Sequence, residues 1–208
     1  STDKACSPSN LYGATKLISD KVFIAGNTYS ASPKTIFSVV RYGNVMGSRG
    51  SIIPLFLNRI NDKTFPITDL RMTRFMITLE EGVKLVWKAF QDMKGGEIYV
   101  KKIKSMKITD IALAVKPEVK FEIIGSRPGE KLHEQMISPE DAMFTYEYEG
   151  FYKIFPSINN VLINKENINC GKPVTEHFNY SSDTNKEWMT KEELRLWIEK
   201  HKREIDKI

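Results

Sequence analysis

Apolar residues repeat with helical spacing near the start of the chain, over residues 10–27. The side chains that share this stripe are Leu11, Ala14, Leu17, Ile18, Val22 and Ala25. Such spacing is typical of one face of a helix, and Pro8-Ser9-Asn10 supplies a start signal. Residues 35–42 are instead β-branched and aromatic with almost no polar alternation, which predicts a buried parallel strand.

Helices and strands continue to alternate toward the end of the chain. The loop over 43–51 is rich in Gly and Ser and follows the predicted strand at its carboxyl end. Ligands bind there in open α/β sheets, so this loop belongs near a binding site. Residues 78–81 and 190–193 are capping boxes, which open helices. The predicted helices cover 52–62, 78–93, 109–115 and 190–200, the predicted strands cover 97–100 and 120–124, and short pieces lie at 65–68 and across 139–185.

Strands interleaved with helices indicate an α/β fold with a parallel sheet. A complete dinucleotide-binding sheet of this kind carries a G-x-G-x-x-G turn between its first strand and first helix. No such turn occurs in the chain. We therefore interpret the sequence as the downstream part of a longer protein whose glycine-rich N-terminal half is missing. A sheet without its upstream strands has an unpaired edge, so we expect the chain alone to be poorly stable.

Composition and charge narrow the class of protein. The 208 residues are 41% hydrophobic and 27% charged, as in a soluble globular protein. No apolar run approaches the roughly 18–20 residues that a membrane helix needs. A formal net charge of +5 suits anionic ligands such as nucleotide diphosphates. The basic stretch over 101–107 lacks the stacking pattern of an RNA reader, so we interpret it as a solvated face and predict no nucleic-acid partner.

The spacing of the cysteines and histidines indicates neither a redox motif nor a metal site. Cys6 and Cys170 lie far apart without C-x-x-C spacing, which favours a reduced, cytoplasmic protein. The three histidines lack Cys or acidic partners at ligand spacing, so we predict no metal and a structural role for His133. Several large apolar residues are interpreted as core, among them Met72, Met76, Trp87 and Met93.

Candidate chemistry begins with Tyr12 and Lys16, four residues apart on the first predicted helix. Side chains at this spacing share a helix face, with Cβ atoms about 5–6 Å apart. An ammonium placed there lowers the pKa of a neighbouring phenol, which a tyrosine needs in order to act as a base near neutral pH. The motif alone is weak, because a tyrosine packed on a helix beside a solvated lysine has the same spacing.

The surrounding sequence is far more specific than this pair. Its blocks, in order, are STDKA (1–5), NLYGATK (10–16), RYGNVMGSRGS (41–51), PITDLRMTRF (66–75), RPGEKLHE (127–134) and YSSDTN (180–185). Together they closely resemble, across nearly the whole chain, the inverting UDP-N-acetylglucosamine 4,6-dehydratases of the polysaccharide-biosynthesis family. These enzymes belong to the extended short-chain dehydrogenase/reductases.

The resemblance implies a fold, a cofactor and an organisation. The chain is expected to hold the C-terminal part of a Rossmann-like parallel sheet with helices on both faces, plus a smaller substrate-binding region. Residues 1–103 would belong to the NADP-binding domain, with substrate-binding insertions at about 46–75. Residues 104–208 would form the substrate-binding region and a C-terminal extension. The implied cofactor is NADP, the complete enzyme is expected to be a homo-oligomer, and the chain alone is expected to be inactive.

The resemblance also implies catalytic roles by position. Tyr12 takes the proton of the C4 hydroxyl while hydride passes from C4 to NADP⁺, and Lys16 binds the nicotinamide ribose and keeps the phenol ionised. Thr2 hydrogen-bonds the hydroxyl being oxidised. Lys4 removes the C5 proton and Asp3 protonates the C6 hydroxyl as water leaves. Hydride then returns to C6, giving a 4-keto-6-deoxy sugar with inversion at C5.

Further positions are implied for binding. The cofactor contacts, besides Tyr12 and Lys16, are Tyr42 and Val45. The substrate contacts are Asn44, Thr68, Arg74, Arg127 and Glu130. An arginine suits bidentate phosphate binding, but Arg71 competes with Arg74 for this role, and a solvated arginine remains an alternative for each. Asn44 could instead be a turn residue with unusual backbone angles.

Two other functions remain open at this point. A nucleotide-sugar 4-epimerase of the same superfamily would need only Thr2, Tyr12 and Lys16. The pair Asp3 and Lys4 favours the dehydratase, because an epimerase has no elimination to catalyse, although an ordinary ion pair at a strand end is the simpler alternative for these two residues. The third interpretation is a non-catalytic fragment or scaffold, since the phosphate-binding turn is missing.

Overall fold

Strands and helices alternate along the computed structural model of the chain, which describes residues 1–29, 35–156 and 168–205. The helices are a 3₁₀ helix at Asp3–Ala5 and α1 (Leu11–Tyr29), α2 (Ile52–Asn58), α3 (Leu79–Asp92), α4 (Ile108–Val115), α5 (Pro139–Ala142) and α6 (Lys191–Ile205). The strands are β1 (Val39–Arg41), β2 (Asn44–Val45), β3 (Thr64–Ile67), β4 (Thr73–Ile77), β5 (Ile98–Lys101), β6 (Ser105–Lys107), β7 (Lys120–Ile123), β8 (Gln135–Ile137), β9 (Thr145–Tyr148), β10 (Phe151–Ile154), β11 (Lys172–Pro173) and β12 (Tyr180–Ser181). Within these ranges, no helix combines the length and the apolar character needed to cross a membrane.

Most predicted elements are present, with bounds shifted by a few residues. The predicted strand over 35–42 is shortened to β1, and the predicted helix over 52–62 ends at Asn58. The second capping box is confirmed, because Thr190 N donates to Glu193 Oε2 at 2.9 Å and Glu193 N donates to Thr190 Oγ1 at 3.1 Å. The pieces predicted across 139–185 correspond to β9–β12, except over 157–167, which lie outside the described residues.

The chain forms two compact units, each assembled from three separate segments. The first unit contains Ser1–Tyr42, Glu80–Lys102 and Gln135–Ser181, and the second contains Gly43–Leu79, Ile103–Glu134 and Ser182–Ile208. The chain passes from the first unit to the second after Lys102, next to the predicted boundary at 103. The two units are interleaved along the chain, however, whereas consecutive regions were predicted. The physical reason is that β10 pairs with β5 and β9 pairs with β10, which ties the late segment to the first unit.

The sheet of the first unit has the strand order β1-β5-β10-β9-β11. β1 and β5 pair in parallel, with Val39 opposite Ile98, which confirms the predicted α/β class. β10, β9 and β11 extend the sheet in antiparallel fashion, which was not predicted. α3 contributes Leu85 and Ala89 to a cluster with the buried Tyr99 of β5. The opposite face of α3 carries Trp87, which is 60% exposed, so its assignment to the core was wrong.

The core of the second unit surrounds β4, which is buried along its whole length. β4 pairs in parallel with β2 and in antiparallel fashion with β6, and β3 pairs in parallel with β7. α2, α4 and α6 contribute side chains to the same core, in which the rings of Phe56 and Phe65 stack with centroids 4.7 Å apart. Burial of each large apolar side chain here contributes about 1.5–3 kcal/mol to the free energy of unfolding. Met72 and Met76 lie in this core, as predicted.

Candidate active site

The residues Thr2, Asp3 and Lys4 lie at the carboxyl end of β1 in the first unit. Thr2 forms a parallel bridge to Tyr42, directly after the strand, and Asp3 N donates to Tyr42 O at 3.1 Å. Parallel strands of α/β proteins present their ligand-binding groups at this end. Main-chain pairing therefore holds this segment at the end of the strand where ligands bind in such folds. Tyr42 takes part in this pairing through its carbonyl oxygen.

The side chains of these residues form one hydrogen-bonded group. Lys4 Nζ donates to Asp3 Oδ1 at 3.0 Å, and Thr2 Oγ1 donates to the same oxygen at 2.9 Å. Asp3 is fully buried, whereas the Lys4 side chain is 36% exposed. Asp3 Oδ2 is buried and has no hydrogen-bond partner among the described residues. An acid and an amine in contact can exchange a proton. The second carboxylate oxygen of Asp3, Oδ2, can accept a further hydrogen bond.

Tyr12 and Lys16 share one face of α1, as their spacing predicted. Lys16 Nζ lies 5.4 Å from the centroid of the Tyr12 ring, which is within cation–π range. Tyr12 is 56% exposed, so its phenol is accessible to a ligand. The pair can supply a phenol with a cation beside it, which is the arrangement that a tyrosine base requires.

Gly13 brings the first turn of α1 against the segment that contains Lys4 and Pro8. A Cβ at this position would lie 2.5 Å from Lys4 O and 2.9 Å from Pro8 Cβ. Both neighbours are backbone or ring atoms of an adjacent segment, so neither can rotate away as the end of a flexible side chain could. The missing side chain therefore allows the Tyr12 turn to pack directly on the backbone of Lys4.

Gly13→Ala is expected to destabilise the first unit, although alanine is the better helix former. Overpacking of this kind costs about 1–3 kcal/mol, which exceeds the gain of about 1 kcal/mol in helix propensity. The matched control is Gly82→Ala on α3, where an added Cβ meets nothing within 4 Å. Chemical denaturation followed by circular dichroism measures both variants. Equal midpoints for the two variants would show that the close approach at Gly13 is unimportant.

Arg41 and Asp20 form a buried ion pair that anchors α1 to β1. Arg41 Nη2 lies 3.2 Å from Asp20 Oδ2, and both side chains are 3% exposed. Arg41 Nη1 also donates to Met136 O at 2.8 Å and lies 3.7 Å from Asp141 Oδ2. This ion pair was not predicted. A charged residue at the end of an otherwise apolar strand must be paired when it is buried. The position of Arg41 at the end of the predicted strand was therefore a signal from which a partner on a neighbouring element could have been inferred.

The predicted substrate contacts meet in the second unit, around a cavity of about 570 Å³. Every one of them lines it, namely Asn44, Thr68, Arg74, Arg127 and Glu130. These residues come from three of the sequence blocks, separated by long stretches of chain. Apolar residues such as Ile52, Leu55 and Ile124 form the rest of the wall. A concave, partly apolar cavity with a few polar groups is the usual form of a small-molecule site.

Arg74 and Arg71 occupy different environments. Arg74 lines the cavity, is 8% exposed, and lies 3.6 Å from Glu130 Oε1 and 3.8 Å from Glu134 Oε1. Arg71 is 74% exposed and does not line the cavity; its hydrogen bonds to Asp69 lower the pKa of that carboxyl to about 2. The position of the two side chains therefore favours Arg74 over Arg71 as the arginine of this site.

The remaining polar groups of the cavity differ in how they are held. Arg127 N donates to Glu130 Oε2 at 3.2 Å and Glu130 N donates to Arg127 O at 3.0 Å, so these residues form a closed turn at the wall. Asn44 Oδ1 and Ser51 Oγ are buried and have no hydrogen-bond partner within the described ranges. Ser51 also lines the cavity and was not predicted. Buried polar atoms are normally satisfied, so these two are candidates for contact with a ligand.

The other predicted residues take structural or separate positions. Val45 lies in β2 of the second unit, opposite Ile77 of β4, while Tyr42 belongs to the first unit. His133 Nδ1 lies 2.8 Å from Thr73 Oγ1, which fits its predicted structural role. Across the described ranges, no group of three or more His, Cys, Asp or Glu side chains could hold a metal ion. Tyr12 and Lys16, the other two predicted cofactor contacts, present an accessible phenol with an ammonium beside it.

The parallel strands and the intervening helices define a Rossmann-like α/β protein. A family model described as polysaccharide biosynthesis protein matches residues 1–156, and the chain belongs to this family. It is 54% identical over 203 residues to UDP-N-acetylglucosamine 4,6-dehydratase (inverting) of Campylobacter jejuni, covering 93% of the chain and 60% of that relative. It is 40% identical over 159 residues to UDP-glucose 4-epimerase of Rickettsia akari, covering 74% of the chain and 47% of that relative.

Solved structures give the same result for the fold. Pen from Bacillus thuringiensis is 35% identical, with a TM-score of 0.83 over 97% of the chain and 61% of that protein. dTDP-glucose 4,6-dehydratase from Bacillus anthracis, solved in complex with NAD, is 17% identical, with a TM-score of 0.50 over 59% of the chain and 42% of that protein. The chain thus spans about 60% of the length of the curated dehydratase that it matches.

Proposed function

We propose that the complete protein dehydrates UDP-N-acetylglucosamine to a UDP-4-keto-6-deoxy-N-acetylhexosamine with inversion at C5, in nucleotide-sugar or polysaccharide biosynthesis. The observation that carries this proposal is the contact of Lys4 Nζ with the buried Asp3 Oδ1 at 3.0 Å, next to a helix that presents Tyr12 and Lys16. The 54% identical dehydratase from Campylobacter jejuni supports it.

The first step is oxidation at C4 of the sugar. The accessible Tyr12 phenolate takes the proton of the C4 hydroxyl, and Lys16 stabilises the phenolate through its charge. Thr2 orients the same hydroxyl through its own Oγ1. A bound nicotinamide dinucleotide would supply the hydride acceptor for C4 and the hydride donor for C6. Exposed phenol and ammonium groups on one helical turn suit such a cofactor.

The second step is elimination of water across C5 and C6. A C4 ketone makes the C5 proton acidic, and Lys4 in its neutral form removes this proton. Asp3 in its protonated form delivers a proton to the C6 hydroxyl, which leaves as water. The hydrogen bond of 3.0 Å between Lys4 Nζ and Asp3 Oδ1 then lets the proton collected by the amine pass to the carboxylate. The pair thereby takes one proton and gives one. When hydride is added at C6, C5 takes up one further proton, which offsets the proton that Tyr12 removed from the C4 hydroxyl.

The cavity of the second unit is assigned to the nucleotide part of the substrate. Its volume of about 570 Å³ lies in the range of small-molecule pockets, roughly 300–1,000 Å³. Arg127 is exposed at the wall and suits a phosphate, whereas Asn44 Oδ1 and Ser51 Oγ provide polar atoms that are not yet hydrogen-bonded to described residues. The apolar wall suits the faces of a base and a ribose.

The proposal predicts the product mass directly. The complete protein, incubated with UDP-N-acetylglucosamine and NADP⁺, is expected to release a nucleotide sugar lighter by one water, because Asp3 and Lys4 support elimination. Mass spectrometry of the product is the measurement. A product that keeps the mass of the substrate and differs only at C4 would contradict the dehydratase and favour the epimerase.

The epimerase is the second candidate because the relative from Rickettsia akari, 40% identical, is a UDP-glucose 4-epimerase. Such a reaction needs a tyrosine base and a hydride acceptor but no acid–amine pair. The lower identity and the contact between Lys4 and Asp3 make it the weaker candidate.

NADP as the specific dinucleotide and the cytoplasm as the compartment are further parts of the proposal. NADP is supported by the sequence resemblance. The compartment is supported by Cys6 and Cys170, which form no disulfide among the described residues. Assembly as a homo-oligomer is proposed on the resemblance alone.

A further inference from the structure

Ser182, in the sequence block YSSDTN, is a fully buried junction in the second unit. Its Oγ accepts a hydrogen bond from Glu134 N at 2.9 Å and lies 2.6 Å from Thr73 Oγ1. Its main-chain N donates to Glu134 O at 2.8 Å. One residue thus joins the start of the last chain segment to β4 and to the segment that follows the RPGE turn. Neither the predicted catalytic roles nor the predicted binding roles made use of this block.

The segment over 132–134 is attached to β4 by several bonds around this junction. Thr73 N donates to Leu132 O at 3.2 Å, and Thr73 Oγ1 lies 2.8 Å from His133 Nδ1. Arg74 Nη1 donates to Leu132 O at 3.1 Å. Because Thr73 and Arg74 are adjacent on β4, the hydroxyl cluster and the cavity arginine hold the same piece of chain.

The attached segment directly continues the wall of the cavity. Arg127 and Glu130 line the cavity a few residues upstream of Leu132, and Glu130 Oε1 lies 3.6 Å from Arg74 Nη2. A shift of the segment along β4 would therefore carry the Arg127–Glu130 turn with it. Displacements of about 1 Å are enough to weaken binding and positioning in active sites.

We propose that Ser182 and Thr73 are positioning residues for the nucleotide cavity, acting through the segment over 132–134 on Arg127 and Glu130. This inference rests on the proposed nucleotide site but adds residues to it that touch no ligand. The two hydroxyls hold the RPGE turn (127–130) at a fixed position relative to Arg74. The cavity therefore has the shape that binds a nucleoside diphosphate before the ligand is present.

The hydrogen bonds have a consistent direction. Ser182 Oγ already accepts the Glu134 N–H, so its own proton is available for Thr73 Oγ1. Thr73 then donates to His133 Nδ1 when the imidazole carries its proton on Nε2. Removing either hydroxyl leaves a buried donor or acceptor without its partner, which is costly in the interior of a protein.

The experiment compares UDP binding by calorimetry, together with KM and kcat, in the complete protein. Ser182→Ala and Thr73→Val remove one hydroxyl each, and Thr73→Val keeps the shape of the side chain. Both are expected to weaken UDP binding and to raise KM about tenfold, as for the loss of one hydrogen bond, with kcat within about twofold of wild type. Thr73→Ser keeps the hydroxyl and is expected to restore the affinity.

The matched control is Ser105→Ala on β6. Ser105 is also fully buried and accepts a hydrogen bond, from Asn185 Nδ2 at 3.0 Å, but it has no bond to the segment over 132–134. It is expected to lower thermal stability about as much as Ser182→Ala while leaving the UDP affinity unchanged.

The outcomes separate this inference from the proposed function. Wild-type UDP affinity in Ser182→Ala and Thr73→Val, with stability lowered as in Ser105→Ala, would overturn the positioning role and leave the nucleotide site intact. Loss of affinity in Thr73→Ser equal to that in Thr73→Val would overturn it as well, because the hydroxyl would then be irrelevant. Wild-type protein that binds no UDP would overturn the nucleotide site itself, and the positioning role with it.

Discussion

Loss of water from the nucleotide sugar is expected to become about a hundredfold slower or more when Lys4 is replaced by alanine in the complete protein. A positioned acid or base contributes about 10²–10⁴-fold to a proton transfer, so the dehydration rate should fall by that factor. Lys4 Nζ contacts the buried Asp3 Oδ1 at 3.0 Å, so the variant removes the amine of the acid–amine pair. Mass spectrometry of the product measures the dehydration.

Oxidation at C4 is expected to survive in the same variant, because Tyr12 and Lys16 are unchanged. Absorbance of the reduced cofactor in a single turnover reports this half-reaction. The control is Lys21→Ala, which removes an exposed lysine on α1 and should leave both steps unaffected. Full dehydration by Lys4→Ala would remove the basis for assigning elimination to the acid–amine pair.

Asp20→Ala is expected to destabilise the first unit by about 3–5 kcal/mol, because it leaves the buried Arg41 guanidinium without its closest carboxylate. The remaining carboxylate, on Asp141, lies at 3.7 Å and is more exposed. Denaturant unfolding of the complete protein measures the loss. Lys84→Ala breaks the exposed pair with Glu80 on α3 and should change stability little.

A double variant tests the cause of that loss. Asp20→Ala with Arg41→Met removes both charges, and it should be less destabilising than Asp20→Ala alone, since the cost arises from one uncompensated buried charge. If the double variant is the less stable of the two, packing of the two side chains rather than charge pairing holds α1 on β1.

Local patterns were sufficient to predict the elements whose signals are contained in a few adjacent residues. The helix over 10–27 and the capping box at Thr190 are of this kind, and both are present. β4 was missed because its sequence, TRFMI, includes a polar and a charged residue, although every position is buried. Thr73 and Arg74 can be buried there only because partners reach them from distant parts of the chain, His133 and Ser182 among them. Periodicity within a short window contains no information about such partners.

In the candidate site, too, some features could be predicted from the sequence and others depend on contacts between distant residues. The face shared by Tyr12 and Lys16 follows from helix geometry, and the cavity residues followed from the sequence blocks that resemble a known family. Arg41 and Ser51 were not recognised, because the role of each depends on what surrounds it in three dimensions. A buried guanidinium needs the carboxylate of α1, and an unsatisfied hydroxyl becomes visible only when its neighbours are known.

The interleaving of the two units has a consequence for biosynthesis. Each unit draws on an early, a middle and a late stretch of the polypeptide, so neither can close its core while the ribosome is still making the middle of the chain. Emerging residues such as those of β5 must wait for β10, which is translated about fifty residues later. The edge of β5 that faces β10 therefore stays unpaired in the nascent chain until β10 has been translated, whereas its other edge can pair with β1 at once.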